Sequence, residues 1–103
     1  MPSKLLSAVL QDLQACYLLE LVEQIGRLRG VRLTELCGRT RTQNVVAARH
    51  EVWWCIRNHP DRFYSLQEIA RLFGNNHATV WAGLHAYERR HPEIVAAATE
   101  PKR

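Results

Sequence analysis

Apolar residues recur with a helical period through the first third of the chain and predict a long amphipathic helix there. The stripe runs from about residue 3 to about residue 28, with Ser3 suited to cap its start and Gly30 suited to end it. Between Leu5 and Leu19 the stripe is too wide for a lone surface helix. We therefore expect this helix either to fold back on the domain or to meet a second copy in a homodimer.

A short helix and a polar loop are predicted next. The helix covers Val31 to Gly38, with Thr34 as its cap and with Leu33, Leu36 and Cys37 pointing inward. The loop that follows has the sequence GRTRT, from residue 38 to residue 42, and is basic.

A longer helix is predicted from Thr42 to His59, where Pro60 ends it. Its buried face should consist of Val45, Ala48, Val52, Ile56 and one of Trp53 and Trp54. Adjacent residues lie about 100° apart on a helix. We therefore expect one of the two indoles to be partly exposed.

The stretch from Ser65 to Leu84 has the spacing of small and apolar residues that a helix-turn-helix requires. Ser65 should cap the first helix, Leu66 to Phe73, with Glu68 completing a capping box. Gly74 falls where the turn needs a left-handed backbone, which is cheap only for glycine. The second helix should run from Asn76 or His77 to about His91. Its predicted inner face consists of Val80, Leu84 and Tyr87.

The pattern as a whole predicts an all-α helical bundle that contains a helix-turn-helix and carries an extra N-terminal amphipathic helix. We divide the 103 residues into an N-terminal helix (1–30), a helix-turn-helix domain (31–92) and a frayed tail (93–103). The composition is that of a soluble globular domain, and no apolar run approaches the roughly 20 residues of a membrane span. We expect a cytoplasmic, nucleoid-associated protein.

Positive charge is concentrated in the middle of the chain. Residues 1–26 contain one lysine against three acidic residues, whereas residues 27–62 contain eight arginines against three acidic residues. Arginine forms forked contacts with phosphate and guanine, so this segment favours a nucleic-acid partner over a generic solubilising coat. The alternative is a solvated basic face.

Other chemistries find little support in the sequence. Three cysteines without CxxC spacing predict neither a disulfide framework nor a zinc site, and Cys16 and Cys55 are expected to be buried, reduced thiols. The five histidines show no metal-binding pair, so no metal and no cofactor is assigned. Glu20 and Glu23 lack a paired general acid, and there is no phosphate loop, so an enzyme is not expected.

Four segments, taken in order, resemble the C-terminal DNA-binding domain of DnaA, the bacterial replication initiator. They are VRLTELCGRTR (31–41), AARHEV (47–52), SLQEIARLFG (65–74) and HATV (77–80), and the resemblance covers about Leu19 to Arg90. The family has a basic loop, an arginine-bearing helix and a helix-turn-helix that ends in a box of the form FG-x-RDHTTV. The 103 residues leave no room for the family's ATPase domain, so we do not expect initiator activity itself.

The resemblance implies roles for individual residues. Arg41 matches an arginine that enters the minor groove, and Arg49 and Arg57 match basic positions on the long helix. His77 and Thr79 match box residues that touch bases or nearby phosphates. The full set of candidate DNA-binding residues is Arg39, Arg41, Thr42, Arg49, His50, Arg57, Ser65, Asn75, Asn76, His77, Ala78 and Thr79.

The box of this chain departs from the family pattern. Asn75 and Asn76 stand where the family has arginine and aspartate, and Ala78 replaces the first threonine. Asparagine pairs its donor and acceptor with adenine, whereas aspartate accepts from cytosine N4. We therefore expect a base preference different from that of the standard DnaA box.

The leading hypothesis is a sequence-specific duplex DNA-binding protein, with a small transcriptional regulator favoured over a replication modulator that competes at initiator sites. A homodimer through Leu5 to Leu19 would place two recognition helices on adjacent half-sites. A different class is a protein-interaction adaptor, in which the N-terminal stripe binds a partner helix and the arginines are bystanders. The adaptor predicts no salt-sensitive binding to duplex DNA.

Overall fold

A computed structural model describes residues 4–99, and this part of the chain is all-α, as predicted. Seven helices form one bundle without strands among the described residues. They are α1 (Leu6–Ala15), α2 (Leu19–Arg29), α3 (Leu33–Leu36), α4 (Gln43–Arg57), α5 (Leu66–Phe73), α6 (His77–Arg90) and α7 (Pro92–Thr99).

The long helix α4 lies at the centre of the bundle and packs against α2, α3, α5 and α6. This position buries both adjacent tryptophans, with Trp53 2% exposed and Trp54 8% exposed, so the expectation of a partly exposed indole is wrong. Trp53 meets the ring of Phe73 in α5, and Trp54 meets the ring of Tyr87 in α6. A helix that is covered on several sides can bury neighbouring side chains that lie about 100° apart.

The N-terminal stripe forms two helices, α1 and α2, where the periodicity predicts one. The break is at Tyr17, which has a left-handed φ of 60°. Leu18 N–H donates to the Leu13 carbonyl (2.8 Å) and Tyr17 N–H to the Gln14 carbonyl (3.1 Å), which is the Schellman pattern of a helix C-terminus. Leu13 and Leu18 are fully buried, so their contact stabilises a turn that usually relies on glycine.

Helix α1 folds back on the domain, where it packs against α2 and α5. Val9 and Leu13 are its buried residues, whereas Leu5 and Leu6 remain exposed. The predicted cap at Ser3 lies outside the described residues. We expected this stripe either to fold back on the domain or to meet a second copy, and in the structure α1 folds back on its own chain.

Two further expectations differ from the structure. Helix α3 begins after Arg32 rather than at a Thr34 cap, and the Glu35 carboxylate accepts the Arg32 N–H (3.1 Å). The described part of the tail predicted to fray is helical as far as Thr99, because α7 packs on α6 and Val95 lies against the core. Residues 100–103 of that tail lie outside the described part of the chain. The inward positions Leu36 and Cys37 are buried as predicted.

The three cysteines are free thiols. Cys37 is buried, whereas Cys16 and Cys55, which were expected to be buried, are only half-buried against the core. Burial raises the pKa of the Cys37 and Cys55 thiols to about 11, so both are protonated at neutral pH. None of the helices within residues 4–99 is both long and apolar enough to span a membrane.

Candidate nucleic-acid interface

The helix-turn-helix has the local structure that its sequence predicts. Ser65 and Glu68 form the capping box of α5: the Glu68 N–H donates to Ser65 Oγ (3.1 Å), and the Ser65 N–H donates to Glu68 Oε1 (2.9 Å). Gly74 adopts a left-handed backbone with φ +70°, and the Asn75 N–H donates to the Ala70 carbonyl (2.9 Å). The turn therefore reverses the chain so that α6 packs against α5, and Val80 of α6 is fully buried.

The first turn of α6 is at the surface. Asn76 to Thr79 are exposed, and Asn75 is half-buried. Asn76 is the N-cap, and its Oδ1 accepts both the Thr79 N–H (2.8 Å) and the Thr79 hydroxyl (3.0 Å). While this cap is intact, Asn76 Oδ1 cannot accept a hydrogen bond from the amino group of adenine. The adenine contact predicted for Asn76 would therefore require the N-cap of α6 to open.

The basic loop between α3 and α4 is tied to the turn of the helix-turn-helix. Arg39 and Arg41 are both exposed in this loop. Arg39 Nη2 donates to the Gly74 carbonyl at 3.5 Å, a long hydrogen bond that spans loop and turn. The loop and the start of α6 therefore lie on the same side of the molecule.

Arg49 holds the basic loop in place from below. It is only 9% exposed, and its guanidinium donates to three carbonyl oxygens: Leu36 (2.9 Å), Glu35 (2.7 Å) and Thr40 (3.0 Å). Burial lowers its pKa, and the nearby Arg39 and Arg41 lower it further, yet an arginine at neutral pH remains charged. Arg49 thus joins α4 to the end of α3 and to the basic loop. Its contact with DNA remains a prediction.

A groove of about 300 Å³ separates the basic loop from the recognition helix. The loop contributes Arg39 and Arg41, α4 contributes Arg49, His50 and Trp53, and the helix-turn-helix contributes Asn75 and Thr79. Two polar atoms here, His50 Nδ1 and Trp53 Nε1, are buried without a hydrogen-bond partner. Burial lowers the pKa of His50 below 6.5, and the charges of Arg90 and Arg49 lower it further.

Close packing of α4 and α6 forms the floor of this groove. Gly83 is the reason that the helices approach so closely, because a Cβ there would lie 2.7 Å from both the His50 and the Trp53 rings. Any larger residue at position 83 would push α6, with its exposed first turn, away from the loop.

The remaining predicted residues lie elsewhere or serve other contacts. Arg57, near the far end of α4, donates to the Tyr64 carbonyl (2.8 Å), and its guanidinium lies 4.6 Å from the centre of the Phe63 ring. It therefore secures the loop before α5 and does not line the groove. Ser65 uses its hydroxyl in the α5 cap, and Thr42 precedes α4 as an exposed N-cap without a side-chain cap bond.

Several central arginines are neutralised by carboxylates away from the groove. Arg29 makes a forked pair with Glu51 (2.7 and 2.8 Å), and Arg62 pairs with Glu68 (2.8 Å). Counting arginines along the chain therefore overstates the positive charge that is available to a ligand, and the exposed arginines that line the groove are Arg39 and Arg41.

Two features near the interface are not predicted from the sequence. Trp81, on the second turn of α6, is 53% exposed and contacts His85, with ring centres 4.0 Å apart. Lys4 lies over Gly74, and its Nζ donates to the carbonyls of Arg71 (2.9 Å) and Leu72 (3.1 Å) at the end of α5 and pairs with Asp12. Trp81 was detectable as an apolar residue off the inner stripe of α6, whereas the Lys4 contacts are long-range and leave no sequence signal.

Comparison with known proteins gives a consistent result. The sequence profile of the family described as "Bacterial dnaA protein helix-turn-helix" matches residues 20–89. Chromosomal replication initiator proteins DnaA of Streptococcus pyogenes serotype M5 (strain Manfredo) and Streptococcus uberis are each 38% identical over 71 residues. The matched region covers 68% of this chain but 15% of each relative. No solved structure matches the chain.

Proposed function

Because this chain belongs to the family of bacterial DnaA helix-turn-helix domains, we propose that it binds duplex DNA in a sequence-specific manner. The recognition helix α6 enters the major groove, and Arg41 enters the adjacent minor groove. The role is one of binding, without a catalytic step.

The observation that carries this proposal is the shared face of the basic loop and the start of α6. Arg41 and Thr79 line opposite sides of one groove, and Arg39 links the loop to Gly74. Adjacent major and minor grooves of DNA are separated by a single sugar–phosphate strand. A groove of about 300 Å³ between two reading elements gives that strand a place to lie.

Electrostatics support the same occupant. Arg39 and Arg41 are exposed at the rim, where they can form forked contacts with phosphate oxygens. His77 and Thr79 lie at the N-terminus of a 14-residue helix, whose partial positive charge favours phosphate nearby. The acidic residues Glu51 and Glu68 are already paired with arginines outside this groove.

The relatives favour a role in replication over the transcriptional regulator that the sequence alone favours. Those relatives are named chromosomal replication initiators, and this chain spans about 15% of their length. We propose that the chain recognises initiator-type sites, in the nucleoid, with a base preference altered by Asn75 and Ala78 and by the absence of the family's aspartate at position 76. Regulation of transcription from such sites is the second candidate, and it needs the same interface.

A single copy suffices for this interface. The homodimer through Leu5 to Leu19 requires apolar surface that Val9, Leu13 and Leu18 bury within the chain. We therefore favour the alternative in which α1 completes a monomeric core. A mass in sedimentation that rises with concentration toward twice the chain mass would restore the dimer.

Selection of bound duplexes from a random pool tests the proposal directly. We expect one enriched motif, and salt-dependent binding because phosphate contacts release counterions. Arg41→Ala should weaken binding to that motif about tenfold, and His77→Ala should reduce the preference for it over random duplex. Arg32→Ala is the matched control, because it removes the same charge from an exposed side chain that pairs with Glu35 outside the groove.

Absence of salt-sensitive duplex binding would contradict the proposal and would favour a protein-interaction adaptor. An equal loss of affinity for cognate and random duplexes in His77→Ala would remove His77 from base recognition but leave binding to the DNA backbone intact.

A further inference from the structure

Trp81 is a large apolar side chain exposed on the recognition helix itself. It is 53% exposed, whereas Trp53 and Trp54 are buried in the core. Exposed aromatic residues that continue a binding surface are common anchors of recognition. Trp81 follows the exposed first turn of α6 directly, so it extends the surface that the proposed function assigns to DNA.

Small and aromatic side chains form the outward face of α6 around Trp81. Ala78, Trp81, Ala82 and His85 recur at spacings of three and four residues and therefore share this face. The opposite face, with Val80, Gly83, Leu84 and Tyr87, is buried. Ala78 and Ala82 are exposed and small, so the helix axis can come close to a ligand on either side of the indole.

The indole has a neighbour that limits its orientations. The His85 ring lies one turn further along α6, with its centre 4.0 Å from that of Trp81 and its plane tilted by 45°. A side chain restrained in this way loses less conformational entropy on binding than a free one.

The geometry points to a specific ligand group, and we propose that Trp81 reads the 5-methyl group of thymine in the major groove. This inference rests on the proposed duplex binding. Thymine is the base that presents an apolar group on the major-groove edge, and alanine methyls and an indole match it better than they match hydrogen-bonding edges. Trp81 lies four residues after His77, about 6 Å along the helix. With about 3.4 Å per base pair, the thymine lies one to two base pairs beyond the base pair that His77 contacts.

Replacing single thymines by uracil tests the proposal, because uracil lacks only the methyl group. In the duplex selected by the wild-type protein, each thymine is replaced in turn and affinity is measured at fixed salt. We expect one replacement to weaken wild-type binding about fourfold, as burial of one methyl-sized group implies. In Trp81→Ala the same replacement should have no effect, whereas Trp81→Phe should retain part of it.

Fluorescence gives a second readout that uses the unaltered protein. Trp81 is the accessible indole among the three, so acrylamide should quench its emission in the free protein, and the cognate duplex should protect it. Because position 81 is exposed, we expect Trp81→Ala to unfold at the same temperature as the wild type. An unchanged unfolding temperature shows that any loss of affinity comes from the missing contact and not from a damaged fold.

Three results would overturn the proposal while the proposed DNA binding stands. Trp81→Ala retains the wild-type sensitivity to uracil, or it weakens cognate and random duplexes equally, or the cognate duplex leaves Trp81 open to acrylamide. Failure of the wild-type protein to bind any duplex would remove both the inference and the proposed function.

Discussion

Replacement of Gly74 by alanine should destabilise the domain more than the same change at Gly30, although both glycines have nearly the same left-handed backbone. Their φ values are +70° and +67°. A left-handed conformation costs an alanine about 1–2 kcal/mol, partly offset by the lower entropy of the unfolded chain. This contribution is common to the two variants.

The surroundings of the two glycines differ. A Cβ at Gly30 meets nothing within 4 Å, whereas a Cβ at Gly74 lies 2.5 Å from the Lys4 Cβ. Relief of that overlap requires the Lys4 segment to move, which loosens the bonds from Nζ to the Arg71 and Leu72 carbonyls and the pair with Asp12. Because Asp12 is half-exposed, the ion pair contributes little, and the carbonyl bonds add about 1–2 kcal/mol.

We therefore expect Gly30→Ala to lower the free energy of unfolding by about 1 kcal/mol and Gly74→Ala by about 2–3 kcal/mol. Urea unfolding at equilibrium measures both values, and in thermal unfolding each kcal/mol corresponds to about 4–8 °C. In a Lys4→Gly background, the excess cost of Gly74→Ala should shrink toward the Gly30→Ala value. Equal costs for the two alanines in the wild-type background would refute the contact between the N-terminal segment and the turn.

Three further predictions concern the groove and its supports. Arg49→Met should lower the free energy of unfolding by about 3 kcal/mol, because three carbonyls lose their shared donor. The same change should speed amide exchange in the basic loop, and an unchanged exchange rate between residues 38 and 42 would contradict this role. Asn76→Ser should keep the cap and the selected motif, whereas Asn76→Ala should cost about 1 kcal/mol in urea unfolding; a changed motif in Asn76→Ser would mean that Asn76 reads a base. Because burial lowers the folded-state pKa of His50, the unfolded chain binds more protons just below pH 6.5, so His50 should make stability fall as pH drops through that range. Urea unfolding of the wild type and His50→Gln at pH 7.5 and pH 5.5 should show a smaller loss in the variant, and equal losses would reject the buried, neutral histidine.

The parts of the fold that local chemistry determines are the parts that the sequence predicts. The capping box of Ser65 and Glu68 and the left-handed Gly74 each depend on residues within a few positions of one another. The inner face of α6 follows from its helical period, and Val80, Leu84 and Tyr87 are buried as predicted.

The features that the sequence did not predict depend on distant contacts. Tyr17 ends α1 in a conformation typical of glycine, because Leu13 and Leu18 are buried together in the core. Both tryptophans of α4 are buried because four other helices surround it, which no periodicity in α4 reveals.

The candidate site follows the same division. The sequence indicates which residues are basic and which lie on α6, but not which guanidinium groups are free. Arg49 appears equivalent to Arg41 in the sequence, yet the carbonyls of α3 and of the loop bind its guanidinium. Whether a guanidinium is buried against carbonyls or left in solvent depends on the tertiary structure, so the local sequence does not indicate which arginines are desolvated.

Methylation protection on the selected duplex tests most directly whether one face of the protein reads two grooves. Dimethyl sulfate modifies guanine N7 in the major groove and adenine N3 in the minor groove, so one experiment reports on both. We predict protection of both atoms on the same duplex, about half a helical turn apart, with Arg41→Ala losing the minor-groove protection and retaining the major-groove protection. Protection confined to one groove, or minor-groove protection that survives in Arg41→Ala, would contradict the account.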